Sequence, residues 1–197
     1  MHVNNRITVV EHSSVEEYAS VPIAFEVASV FDVNDSVGGD SAPQLVERLI
    51  ELPYVKDYDE IGGNGPGEWA SRFDLSQWQL FAAEVDGQRA GCAALVMNAP
   101  GVEMLEARND LALLWDIRVA PVFRSRGVGS ALLYAVEASA RAGGARELKV
   151  ETQNINVAAC RFYESRGFKL RNASAGVYEG LPEEVQLLWY KSLDSSD

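Results

Sequence analysis

The sequence predicts a mixed α/β fold of the α+β kind, a mixed sheet with helices on both faces. Three observations predict it. Asp86-Gly87 lies between two apolar runs, Gln79–Val85 and Arg89–Met97, a strong hairpin signal. Leu111–Val119 is a near-continuous apolar run, as a central strand requires. From there the order is strand, helix, strand, helix, strand, and the last strand is Val185–Leu193. At 197 residues the chain suits a single domain, residues 1–197, with a core large enough to be stable alone.

The elements follow in order along the chain. Ile7–Val10 is a short apolar strand. Ser13 or Ser14 caps a short helix through Tyr18, with Glu16 and Glu17 favourable in its first turn. Ser41-Ala-Pro43 opens QLVERLIEL, whose Leu45, Leu49 and Leu52 fall near one stripe of an amphipathic helix. Asp57–Gly67 is an acidic, glycine-rich loop. After the hairpin and the Leu111–Val119 strand, Gly127–Ala142 is helical. Val128, Ala131, Leu132, Ala135, Val136 and Ser139 share its spacing, and Gly143-Gly144 ends it. Glu147–Thr152 alternates, with Leu148, Val150 and Thr152 facing one way and Lys149 and Glu151 the solvent or a cleft. Val157–Arg166 is the second long helix, closed by Gly167, and Phe168–Leu170 starts another strand.

Composition excludes several classes. No apolar run approaches the roughly 20 residues of a membrane span, and no membrane partner is expected. MHVNNRITVVEHSS lacks a long apolar h-region, so no signal peptide is expected and the cytoplasm is the expected compartment. Cys92 and Cys160 each sit in apolar runs and read as core-filling thiols. His2 and His12 have no surrounding ligand pattern, so neither a metal site nor a Ser-His-Asp triad is expected. Residues 1–110 carry 19 acidic and six basic side chains, whereas residues 111–197 carry ten and eleven. An acidic half repels nucleic acid and attracts cations; it equally serves as a solubilising surface.

The segment Arg124-Ser-Arg126-Gly127-Val-Gly129-Ser130 joins the Leu111–Val119 strand to a helix. The first turn of a helix has unpaired N–H groups and partial positive charge. Gly127 and Gly129 leave those groups open to close approach, and Arg124 and Arg126 add donors suited to phosphate oxygens. The turn is thus a candidate pyrophosphate site. It is not the dinucleotide fingerprint, whose third glycine is replaced by Leu132, and no Gly-Lys-Ser/Thr is present.

Arg124-x-x-Gly127-x-Gly129 resembles the acyl-CoA pyrophosphate loop of the GNAT superfamily of N-acetyltransferases. Ile117-Arg-Val119-Ala-Pro121 resembles the end of the strand before that loop, and Asn156-x-x-Ala159-x-x-x-Tyr163-x-x-x-Gly167-Phe168 resembles the second signature. The resemblance covers roughly Leu111 to Leu170. It implies a mostly antiparallel sheet whose central strands, Leu111–Val119 and Glu147–Thr152, splay around the pantetheine arm of acetyl-CoA, the co-substrate. It implies an acceptor side and first strands in residues 1–110, an acyl-CoA core in 111–170 and C-terminal strands in 171–197. Main-chain groups around Ile117, Arg118 and Val119 would hold the arm. Arg124, Ser125, Arg126, Gly127, Val128, Gly129 and Ser130 would hold the pyrophosphate. Asn156 and Ala159 would fix the arm or the helix, and Tyr163 would lie near the sulfur.

Acetyl transfer to an amine needs a neutral nucleophile, a stabilised carbonyl oxygen and a protonated leaving thiolate. A phenol of pKa about 10 near the sulfur can supply that proton, which makes Tyr163 the candidate acid. Asp116 interrupts an apolar strand, where a carboxylate is costly unless used or paired. It is a candidate base, or else it pairs with an arginine such as Arg118 or holds a strand bulge. Glu151 is the second candidate base, or an exposed strand residue.

ETQNINVAACRFYESRGF, Val177-Tyr178-Glu-Gly-Leu-Pro182 and VQLLWYK resemble streptothricin acetyltransferases, and Ile23–Val33 resembles their N-terminal region. That resemblance implies an antibiotic-resistance enzyme acetylating a cationic small-molecule amine. Asp32, Asp35, Asp40, Asp57, Asp59 and Glu60 could supply field and contacts for it. Where that family commonly has an acidic residue before the strand aspartate, this chain has Trp115. Another amine (a polyamine, an amino acid, a protein N-terminus) and a non-catalytic acyl-CoA-binding module remain open at this level, as do a monomer and a homodimer.

Overall fold

The computed structural model describes residues 7–12, 14–34 and 42–194. Its contacts divide the chain into two compact units.

The first unit contains the chain through Ala24, Asp57–Leu148 and the stretch from Leu193 on. Its strands are β1 (Ile7–His12), β4 (Trp78–Val85), β5 (Gln88–Val96) and β6 (Leu111–Val119), paired antiparallel in the order β1-β4-β5-β6. Asp86 and Gly87 turn β4 into β5 with φ of 51° and 79°, the left-handed pair a two-residue hairpin demands. In the β5–β6 ladder Ala94 faces Asp116 while Leu95 faces Leu114. Trp115 is therefore the extra residue of a β-bulge, which bends and twists β6 just before Asp116.

Helices cover both faces of this sheet. Helix α3 (Val128–Ala142) lies against β5, β4, β6 and β1 and buries Val128, Leu132, Leu133, Val136 and Ala140. Gly91 permits that approach: a Cβ there would stand 2.7 Å from the Arg118 carbonyl oxygen and 3.1 Å from Leu132 and Val128 side-chain atoms. On the other face, Cys92, Ala94 and Val96 of β5 join a core cluster with Tyr18 and Trp69. Tyr18 belongs to α1 (Val15–Ala19) and Trp69 to α2 (Pro66–Arg72). Ser14 caps α1, accepting from the Glu17 amide; Ser13, the alternative cap, lies outside the described residues.

The second unit contains Phe25–Lys56 and Lys149–Ser192. Strand β7 (Glu147–Gln153) enters it, α4 (Val157–Ser165) follows, and β8 (Lys169–Ala175) pairs antiparallel with β9 (Val185–Ser192). A hairpin of β2 (Phe25–Asn34) and β3 (Gln44–Lys56) forms a separate two-stranded sheet.

Strand β3 corrects the sequence reading, which placed an amphipathic helix over QLVERLIEL. Leu49 and Leu52, two members of the supposed stripe, are 79% and 83% exposed. The apparent helical spacing therefore bought no burial. Val46, Ile50, Tyr54 and Val55 favour strand, Pro53 opposes a continuing helix, and pairing with β2 decides the outcome. The register jumps from Val27 opposite Tyr54 to Ser29 opposite Leu49, so β3 carries the surplus residues of an irregularity. The Ser41 end of the supposed helix lies outside the described residues. Lys149 also departs from expectation. It is 3% exposed, with its ammonium 5.4 Å from the Tyr190 ring centroid, so the polar side of β7 is covered there.

Candidate active site

The pyrophosphate candidate begins at the end of β6. The Ala120 N–H donates to the Ala90 carbonyl at 2.9 Å, and Arg118 lies opposite Cys92. Antiparallel ladders alternate, so Arg118 is a paired position while Ile117 and Val119 turn their amides and carbonyls away from β5. The Val119 carbonyl accepts from Arg124 Nε at 3.0 Å, and Arg124 Nη2 donates to the Ala24 carbonyl at 2.6 Å. Arg124 thus spends two donors bracing the turn, and burial lowers its pKa. Arg126 is exposed, its guanidinium 5.8 Å from the Phe123 ring centroid.

Ser125 (φ 59°) and Gly127 (φ 88°) are both left-handed, which folds the turn tightly. Gly127 is the N-cap of α3 and supplies no side-chain cap; no acidic residue occupies the first turn. The N-cap therefore offers no side-chain acceptor to the first-turn amides. A phosphate group fits that environment.

On α4, Asn156 is the N-cap, and its Oδ1 accepts from the Ala159 amide at 3.1 Å. Tyr163 is buried, with ring centroids of Phe162 and Phe168 5.2 and 5.3 Å away at steep angles. Cys160, one turn earlier, is buried among Thr152 and Gln153 contacts, and burial pushes its thiol up to about 11. Cys92 is likewise buried, and its thiol is raised by burial and then by the charge of Asp116.

Asp116 is not exposed on its strand. Its Oδ1 accepts from Tyr18 Oη at 2.7 Å and from Arg118 Nε at 3.0 Å, and its Oδ2 accepts from Arg118 Nη2 at 2.7 Å. Burial, and then the charge of Asp116, raise the Tyr18 phenol well above its ordinary value. Burial alone would lower the pKa of Arg118, but hydrogen bonds and charge from Asp116, then Asp59, outweigh it and hold the guanidinium charged.

Glu151 has a different company. Its Oε1 accepts from Tyr178 Oη at 2.8 Å and its Oε2 from Gln186 Nε2 at 2.6 Å; Gln153 Nε2 lies 3.4 Å from Oε1. All three are neutral donors. Burial, then the charge of Glu151, raise the Tyr178 phenol far above its ordinary range, so it stays a donor. Nearby in the same unit, Lys56 pairs with Glu184 at 2.5 Å.

Sequence reasoning missed Tyr18, Gln186 and Asn154. Asn154 exchanges four hydrogen bonds with Phe31 and Val185. No local pattern marks such residues, because their partners lie far along the chain. Of the acidic residues expected to serve a cation, Asp35 and Asp40 lie outside the described residues, Asp32 pairs with Arg48 at 3.0 Å, and Asp57 accepts from the Asp59 amide at 3.0 Å. Among the described residues no group of three or more His, Cys, Asp or Glu could hold a metal ion. No described helix is long and apolar enough to cross a membrane.

Comparison with known proteins places the chain in a class of acyl-CoA-dependent transferases. The model of the acetyltransferase (GNAT) family matches residues 47–168, so the chain belongs to that family. It is an acetyltransferase whose co-substrate is acetyl-CoA. The chain is similar to a streptothricin acetyltransferase of Streptomyces lavendulae, 30% identical over 170 residues, which cover 86% of this chain and 84% of that one. A solved structure from Bacillus anthracis str. Ames, in complex with acetyl coenzyme A, has a TM-score of 0.74 at 25% identity and covers 95% of this chain and 99% of its own. A nourseothricin acetyltransferase structure shares the fold, with a TM-score of 0.73 at 24% identity over 95% of this chain and 99% of that one. The mixed, mostly antiparallel α/β fold is thus the family's own.

Proposed function

We propose that this acetyltransferase moves an acetyl group from acetyl-CoA to a primary amine of a cationic small molecule of the streptothricin type. One observation carries the reading. The likeness to the Streptomyces lavendulae enzyme spans 86% of this chain. It therefore extends well beyond the acyl-CoA core of residues 111–170 into the acidic half expected to face the acceptor. The two buried, unpaired cysteines suit a reducing cytoplasm, where acetylating a cationic drug would confer resistance.

Acetyl-CoA supplies the activated acetyl group. The α3 turn, with Arg126, Gly127, Val128, Gly129 and Ser130, holds the pyrophosphate; the main chain at Ile117 and Val119 lines the arm. Asn156 acts through the α4 cap, which supports the helix carrying Tyr163. Tyr163 protonates the departing sulfur. Between the two candidate bases the geometry favours Glu151. Asp116 is 9% exposed and shared between a guanidinium and a phenol. Glu151 is oriented by neutral donors that leave its charge available to an ammonium. It takes the amine's proton, directly or through water.

The test is an acceptor panel with acetyl-CoA, following thiol release for streptothricin, spermidine and a peptide side by side. Streptothricin is expected to turn over at least ten times faster in kcat/KM than the others. Preference for spermidine or the peptide would overturn the acceptor reading. Tight acetyl-CoA binding without any turnover would overturn catalysis.

A further inference from the structure

Arg118 is a heavily committed side chain of the first unit. Its side chain is 1% exposed. Nε and Nη2 reach Asp116 at 3.0 and 2.7 Å, Nη1 reaches the Val21 carbonyl at 3.1 Å and Asp59 at 2.7 Å, and Nη2 reaches Asp59 at 3.3 Å. Five hydrogen bonds occupy the five N–H donors a guanidinium possesses. The guanidinium carbon also sits 5.3 Å from the Tyr18 ring centroid, and that phenol donates to Asp116. Three chain segments distant in sequence meet on one side chain: strand β6, the turn after α1, and the Asp57–Gly67 loop.

That loop walls a cavity of about 570 Å³, lined by Ala19, Asp59, Ile61, Glu68 and the glycines between them. The wall is held by its own turns, in which the Ile61 and Asn64 amides donate to the Tyr58 and Ile61 carbonyls, and by Arg72, which donates to the Gly63 carbonyl at 2.7 Å. A Cβ at Gly62 or Gly67 would meet nothing within 4 Å, so side-chain packing on the rest of the loop is sparse. The loop is fixed near its far end by Trp69, which is 2% exposed and whose indole N–H donates to the Asn64 carbonyl at 3.0 Å. Its near end is fixed by Asp59 on Arg118. A buried guanidinium between two carboxylates is a weak source of net stability, and registry is the best-attested use of such groups.

We propose that Arg118 is a positioning residue for the acceptor. It clamps the glycine-rich wall of this cavity to β6, so that an amine-bearing cation lying against bare loop backbone and the Glu68 carboxylate is held in register with the strand serving acetyl-CoA. The inference rests on the proposed cationic acceptor and adds the place where that acceptor docks and the residue that shapes it.

Two variants test it. Arg118→Lys keeps the charge and leaves Asp59 in the cavity, but an ammonium cannot serve both carboxylates in one planar fork. Asp59→Ala removes the loop end while leaving the Arg118–Asp116 pair intact. In both, amide hydrogen exchange of residues 60–65 is expected to accelerate about ten-fold, as loss of a charge-assisted pair implies. The acceptor KM is expected to rise about ten-fold in both, with the acetyl-CoA dissociation constant unchanged by calorimetry. Unchanged loop exchange in Asp59→Ala would overturn the clamp, whether or not Arg118→Lys folds. A KM rise in Asp59→Ala alone would also overturn it, because that pattern means direct contact rather than positioning. Exchange needs no acceptor, so it judges the clamp even if no amine in the panel is acetylated and the acceptor reading fails.

Discussion

The carboxylates of Asp116 on β6 and Glu151 on β7 have opposite surroundings, and substitution separates their roles. Glu151→Gln preserves shape beside Tyr178 and Gln186 but removes the charge. It is expected to lower kcat by about 10²–10⁴, the usual worth of a general base, with the thermal midpoint nearly unchanged. Asp116→Asn leaves Arg118 without half of its compensation and is expected to cost about 3–5 kcal/mol of stability in urea unfolding. A kcat collapse in a fully stable Asp116→Asn would return the base to Asp116. Tyr163→Phe keeps the ring contacts with Phe162 and Phe168 and is expected to lower kcat about 10²-fold while acetyl-CoA affinity holds. An unchanged single-turnover rate removes Tyr163 from the acid role. The buried Tyr18 predicts a pH limit as well. Burial first, and then Asp116, raise its folded pKa above the unfolded value near 10. Its contribution is complete below that value and is lost as pH rises toward the folded pKa. Unfolding free energy should therefore fall above pH 10 by about 1.4 kcal/mol per unit from this group. In Tyr18→Phe that slope is expected to lessen; an equal slope would place the alkaline loss elsewhere.

At the scale of elements, the turn before α3 is the proposed pyrophosphate site. Gly129→Trp places an indole over the first-turn amides and removes a poor helix former. Acetyl-CoA affinity is expected to fall more than ten-fold by calorimetry with the circular dichroism spectrum retained. Unaltered affinity would remove the turn from the pyrophosphate role. Elements set by local chemistry were legible in the sequence. Asp86-Gly87 dictates its hairpin through two left-handed residues, and Gly143-Gly144 stops α3. Elements decided by partners were not legible. The QLVERLIEL stripe has helical spacing, yet β2 pairs with it and leaves Leu49 and Leu52 in solvent. The bulge at Trp115 exists only in register with β5. The same distinction divides the site. The anion turn and the signature Tyr163 stand in contiguous motifs. The company of Asp116 and Glu151 depends on Tyr18, Asp59, Tyr178 and Gln186, up to 98 residues away.

For the whole molecule, the net charge of −12 is carried by the N-terminal half. The structure narrows which of those charges can act at a distance. Asp32 and Asp59 are already paired with arginines, at 3.0 and 2.7 Å, and Asp57 is engaged in its own turn. Glu60 and Glu68 are exposed, and Glu68 lines the cavity beside Asp59. A cationic acceptor drawn by this field would feel those two more than the paired ones, because an exposed charge acts through solvent over about 10 Å at 0.1 M salt. The double change Glu60→Lys with Glu68→Lys shifts the local charge by four units without touching the Arg118 cluster. The acceptor KM is expected to rise several-fold at 20 mM salt and to approach the unmodified protein's value at about 0.5 M, where screening shortens to a few ångströms. Acetyl-CoA affinity is expected to change far less. A KM that ignores both the substitution and the salt would show that the acidic half serves solubility alone, and that the acceptor is held by short-range contacts instead.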